Sequence, residues 1–96
     1  MQEQPARQMD PLTAAISGQS FMSGETRLTF QTDGRLVGAG PVGDIRGAWT
    51  VRDGRLCRTL TAPQATAGTE CQTAELREGG VAITRTDGVT LFWEQV

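Results

Sequence analysis

Gly47-Ala48-Trp49-Thr50-Val51-Arg52-Asp53-Gly54-Arg55-Leu56-Cys57 reads as one strand, a tight turn and a second strand ending on a cysteine. Asp-Gly between two runs of β-prone residues is a strong short-range hairpin signal, because glycine takes the positive φ that a two-residue turn needs. With Asp53-Gly54 as the whole turn, Val51 pairs with Leu56. Trp49, Val51, Leu56 and Leu60 then share the core side, and Cys57 falls on the other face.

The same alternation extends to the second cysteine. After Cys71, Ala74 and Leu76 alternate with Cys71, Thr73 and Glu75, so Cys71 also points away from the apolar face. Two strands whose cysteines share a face, joined by the stretch 62–68, pair antiparallel with Cys57 opposite Cys71. A bridge closing a loop of that length stabilises by roughly 3 kcal/mol in the chain-entropy model. Two cysteines in so small a domain point to a disulfide and an oxidising compartment; two unpaired buried thiols are the other reading.

Outward from this centre the chain alternates with period two, and turn signals recur at short intervals. Phe21-Met22 opens the first strand. A three-residue bulged turn at Thr32-Asp33-Gly34 puts Phe30 opposite Leu36. Glu78-Gly79-Gly80 turns the Cys71 strand back, and Thr86-Asp87-Gly88 repeats the bulged turn, so that Ile83 faces Leu91 and Val81 faces Trp93. Phe92 is left on the opposite side, either as an ordinary exposed side chain or as a partner contact. Gly38-Ala39-Gly40-Pro41-Val42-Gly43-Asp44 has the composition of a connecting loop. It is not a phosphate loop, which requires Gly-Lys-Ser/Thr opening a helix.

Ahead of the strands, Asp10-Pro11-Leu12-Thr13-Ala14-Ala15-Ile16-Ser17-Gly18 has an N-cap Asp, Pro at the first helical position and Gly past the end. This is a two-turn helix whose Leu12 and Ile16 form one apolar edge, and it holds only by docking across the open end of a barrel or sandwich. Residues 1–9 are polar and aperiodic and read as a disordered tail. The expectation is an all-β fold: one domain over residues 10–96, a small antiparallel meander barrel of six to eight strands with one short N-terminal helix. Closure into a barrel removes the edges of such a sheet. At 96 residues, roughly 60–70% of the unfolded chain's surface is buried on folding, so the core is marginal and a covalent staple helps.

Composition excludes several function classes. The chain has no His, Lys, Tyr or Asn, and all nine of its basic residues are Arg. Without His there is no Ser-His-Asp or Cys-His nucleophile, and without Lys no Schiff base. Two cysteines cannot supply a four-ligand zinc site. A formal net charge of −2 argues against sequence-independent nucleic-acid binding. No apolar run reaches the ~18 residues of a membrane span. The start Met1-Gln2-Glu3-Gln4-Pro5 reads as a mature secreted N-terminus behind an added initiator Met, with an original leader removed.

The run Gly47-x-Trp49-x-Val51-x-Asp53-Gly54-x-Leu56-Cys57, the second cysteine at 71 and the Asp87-Gly88 hairpin resemble a group of small secreted or periplasmic proteins of α-proteobacteria. The resemblance covers roughly residues 18–93 and implies a lipocalin-like β-barrel. In outline the barrel is also similar to bacterial protease inhibitors of the alkaline-protease-inhibitor type, which carry one disulfide and a mobile N-terminal segment. Two features depart from lipocalins: Gly47-Ala48-Trp49 lies mid-chain rather than on the first strand, and the chain is short for a barrel with a deep pocket.

Three functions from different classes follow. The first is a periplasmic or secreted binding or inhibitor module acting on a protein partner through its N-terminal tail or through an arginine cluster, Arg46, Arg52, Arg55 and Arg58. An ordinary charged sheet face is the plainer reading of that cluster. The second is a carrier of a small apolar ligand in a cavity lined by Trp49, Leu56 and Trp93, although both tryptophans also fit the core. The third, an enzyme, has only carboxylates to work with; Glu70, Glu75 and Glu78 lie close in sequence and read as a solvated strand face. The expectation is a non-enzymatic monomer with no cofactor and no metal.

Overall fold

The computed structural model describes residues 10–96, so the expected tail over 1–9 lies outside the described residues. Asp10 caps helix α1 (Pro11–Ile16), its Oδ1 accepting from the Thr13 amide at 2.7 Å, which satisfies one of the free N–H groups of the first turn. Eight strands follow: β1 (Gln19–Ser23), β2 (Thr26–Phe30), β3 (Arg35–Gly40), β4 (Gly43–Arg52), β5 (Arg55–Ala62), β6 (Gly68–Arg77), β7 (Gly80–Thr84) and β8 (Thr90–Gln95). Each pairs antiparallel with the next, and β8 returns to β1, closing the barrel. Every strand therefore has two neighbours, and no open edge runs the length of the sheet.

The registers follow the turn chemistry. Asp53 and Gly54 both take positive φ, at 54° and 75°, and form a two-residue turn that sets Val51 opposite Leu56. Thr32-Asp33-Gly34 and Thr86-Asp87-Gly88 are three-residue turns of the same build: the amide of the closing glycine donates back to the carbonyl of Gln31 or Arg85, and the Asp Oδ1 accepts from the amide two residues on. They place Phe30 opposite Leu36, and Ile83 and Val81 opposite Leu91 and Trp93. Phe92 points outward, opposite Ala82.

One expectation is overturned. Residues 38–44 are not a loop: β3 runs through Gly40, β4 starts at Gly43, and only Pro41-Val42 turns between them. Glycine here serves close approach rather than flexibility. A Cβ on Gly38 would lie 2.0 Å from the Arg27 carbonyl oxygen, and one on Gly47, beside a register shift in β4, would lie 2.0 Å from that of Thr59. Strands bent this sharply to close a small barrel leave no room for a side chain at those points.

The core is one buried cluster that reaches from the helix to Leu28, Leu60 and Ile83 in the upper barrel. Leu12 and Ile16 of α1 join Phe21, Phe30, Leu36, Trp49, Leu56 and Val81 in one buried cluster, so the helix seals the end formed by the β2–β3, β4–β5 and β6–β7 turns. Phe30 meets both Phe21 and Trp49 edge to face, with ring centroids 5.8 and 5.5 Å apart. The disulfide Cys57–Cys71 joins directly paired residues of β5 and β6 on the barrel's outer face. No helix among the described residues is long and apolar enough to cross a membrane.

Candidate functional site: the open mouth of the barrel

The end opposite α1, formed by the β1–β2, β3–β4, β5–β6 and β7–β8 connections, holds a cavity of about 280 Å³. Its walls are mostly apolar. Leu28, Ile45, Leu60, Ile83, Leu91 and Trp93 line them, with Leu36, Leu56 and Phe30 at the floor and Val42 and Pro63 at the rim. A pocket of this size and lining suits a small organic ligand, at the low end of the ~300–1,000 Å³ usual for such sites.

Polar side chains enter the wall on β5 and β6. Arg58 lies between Leu56 and Leu60 on β5 and so faces inward, directly opposite Glu70 on one side and Trp49 on the other. Glu70 faces Arg58 for the same reason, one residue before the outward Cys71. The Arg58 Nη2 lies 3.5 Å from Glu70 Oε1, and the two side chains are 20% and 27% exposed. The second oxygen of Glu70 accepts from the backbone amide and the hydroxyl of Thr86, both at 3.0 Å. Gln72, 4% exposed and the one buried polar residue among those described, lines the cavity beside them. Arg85 completes the polar set and is paired at the rim with Asp87 at 3.1 Å.

The electrostatics follow from these contacts. The Thr86 amide holds the Glu70 carboxyl below its ordinary range; partial burial opposes this, and the Thr86 hydroxyl, Gln72 and Arg58 add to the lowering. Burial lowers the pKa of the Arg58 guanidinium, Glu70 raises it and Arg85 lowers it again. A guanidinium remains charged at neutral pH under such shifts.

The residues singled out in the sequence are dispersed. Arg46, Arg52 and Arg55 lie on the outer face, where Arg46 approaches Asp44 at 4.0 Å and Arg55 donates to the Cys71 carbonyl. Arg58 is inside, so the four arginines do not form one patch. Trp93 and Leu56 line the cavity as expected, but Trp49 does not. Its Nε1 donates to the Gln31 carbonyl at 2.9 Å and its ring packs on Phe30, which commits it to the sealed end. Of the three neighbouring glutamates, Glu75 is exposed and paired with Arg77, whereas Glu70 turns inward. Gln72 and Arg85 escaped the sequence reading and Glu70 was read there as part of a solvated strand face, although alternation outward from Cys71 marks both Glu70 and Gln72 as inward. Among the described residues no group of three or more Cys, Asp or Glu side chains converges as a metal site would require. No protein-family model matches the chain, and no curated protein or solved structure is significantly similar to it.

Proposed function

We propose that this domain is a non-enzymatic binding protein that holds one small apolar ligand in the open mouth of its barrel and works outside the cytoplasm. The observation that carries this reading is the contrast between an end that the helix and an aromatic cluster close and an apolar cavity of about 280 Å³ at the other. A concave, mostly apolar pocket with a few polar side chains in its wall is the usual form of a small-molecule site. The cross-strand disulfide supports an extracytoplasmic setting, where such bonds persist. The state of Glu70 supports binding over catalysis. A general acid or base near neutrality needs a raised carboxyl pKa, and Thr86 and Arg58 drive this one downward.

The test uses the neutral apolar fluorophore N-phenyl-1-naphthylamine. The protein should bind it saturably, one per chain, with energy transfer from Trp93. Ile45→Trp, which fills the mouth, should weaken binding by about tenfold or more while the thermal midpoint stays close to that of the parent. A parent protein without saturable binding would remove the reading.

One observation favours a protein-directed module instead. Val42, Val89, Leu91 and Phe92 are exposed apolar side chains in or beside the mouth-end turns, with Val42 74% and Phe92 47% exposed. An exposed apolar rim of this kind is a feature of contact surfaces. On that reading the rim, rather than the arginines of the outer face, meets the partner, as in an inhibitor or adaptor. Co-purification of a stoichiometric protein that Phe92→Ser releases would support it.

A further inference from the structure

We propose that the ligand of this cavity carries an anionic head group, a single carboxylate on an aliphatic chain, which binds the Arg58 guanidinium inside the barrel. The inference rests on the carrier reading above and specifies the ligand class.

Glu70 is supplied in excess: Thr86 gives it two hydrogen bonds, and Gln72 and Arg58 also bear on it. Arg58 is in the opposite position. A guanidinium presents five N–H donors in a planar fork. Among the described residues, Glu70 is the one side chain that bonds it, at the long distance of 3.5 Å. Four fifths of the Arg58 side chain is nevertheless removed from solvent, so water replaces the missing acceptors only in part. Arg85 has its own carboxylate in Asp87, outside at the rim, and does not relieve Arg58. The cavity wall therefore holds surplus donors on a largely desolvated cation, beside the hydroxyls of Thr26 and Thr66 and the Gln72 amide.

A carboxylate answers the surplus of donors, because its two oxygens match the guanidinium fork that the long contact to Glu70 leaves largely unused. The remaining wall is aliphatic and aromatic, with Leu28, Ile45, Leu60, Leu91 and Trp93 along the path to solvent, which fits a hydrocarbon chain. A dianion would be opposed by Glu70, which stays ionised beside Arg58; a cation would meet two arginines.

The test compares decanoate with 1-decanol, each displacing N-phenyl-1-naphthylamine from the parent protein, Arg58→Met and Arg58→Lys. The parent should prefer decanoate by about tenfold or more, as a charge-assisted pair in a partly buried site allows. Arg58→Met should lose that preference, read as the ratio of the decanoate and 1-decanol affinities within the variant, with circular dichroism and the thermal midpoint confirming that it is folded. Arg58→Lys, which keeps the charge but not the fork and guards against misfolding of the first variant, should retain part of it. Decanol bound as tightly as decanoate by the parent, or a preference that survives in Arg58→Met, would overturn the head-group assignment and leave the carrier reading standing. No saturable binding of any of the three probes would overturn both.

Discussion

The two ends of this barrel use the same turn sequence and reach opposite outcomes. Thr32-Asp33-Gly34 at the sealed end and Thr86-Asp87-Gly88 at the mouth have the same backbone bonds and the same aspartate contact to the amide two residues on. At the sealed end, the Gly34 carbonyl accepts from the Trp49 amide and the preceding Gln31 carbonyl from the Trp49 indole, so the turn anchors an aromatic plug. At the mouth, Thr86 spends its amide and hydroxyl on Glu70, and Arg85 faces a cavity. Local sequence builds the turn, and the residues that meet it decide whether it closes a core or holds a polar site.

This contrast can be broken most forcefully at Phe30, 2% exposed and in edge contact with two aromatic rings. Phe30→Ala should cost about 3–5 kcal/mol in urea unfolding, whereas Leu91→Ala at the mouth, already 37% exposed, should cost under about 1 kcal/mol. Comparable losses at the two positions would mean that the mouth is packed as tightly as the core. Second in size is the disulfide. The double variant Cys57→Ser/Cys71→Ser should lose about 3 kcal/mol, read as a fall in the urea midpoint equal to that produced by thiol reduction of the parent. Because the bridge lies on the outer face, the affinity for N-phenyl-1-naphthylamine should be preserved wherever the variant is folded.

The smallest effect sharpens the picture of the mouth. Glu70 has a lowered pKa in the folded protein, so its ionised form adds stability above the unfolded carboxyl value of about 4.3, and that stability is lost as the pH falls through the folded value. Glu70→Gln should therefore be less stable than the parent at pH 7, by under about 1 kcal/mol, and the gap should narrow as the pH falls below the unfolded carboxyl value. A gap that persists undiminished at pH 3 would show that Glu70 acts through its shape rather than its charge.

Much of the fold was legible from the residues. The Asp-Gly signals set three hairpin registers, the cysteines were paired through the shared face of their strands, and Asp10-Pro11 marked the helix start. The glycines of 38–43 misled because composition does not separate a glycine that frees the chain from one that lets another backbone come close; the approach to the Arg27 carbonyl exists only once the sheet curls. The site was half legible. The alternation that sends Cys57 and Cys71 outward also sends their neighbours Arg58 and Glu70 inward, face to face, and the charged side chains drew attention to the surface instead. That Trp49 belongs to the plug and Trp93 to the mouth depends on which end the helix covers, and periodicity within a strand carries no such information.

The closure of the barrel also bears on how the molecule assembles. Seven of its eight strand pairings join sequence neighbours through short connections, so each can form early and locally. The eighth joins β1 to β8 through two registered pairs, Phe21–Gln95 and Met22–Glu94, with a Gln95–Gln19 side-chain bond spanning 76 residues. Its loop-closure cost is the largest in the fold, and it has the fewest pairs to offset it. The meander should therefore be nearly complete before it becomes a ring, and the joint between the two chain ends should open first in native-state hydrogen exchange, with the amides of Met22 and Glu94 exchanging ahead of those in β4 and β5.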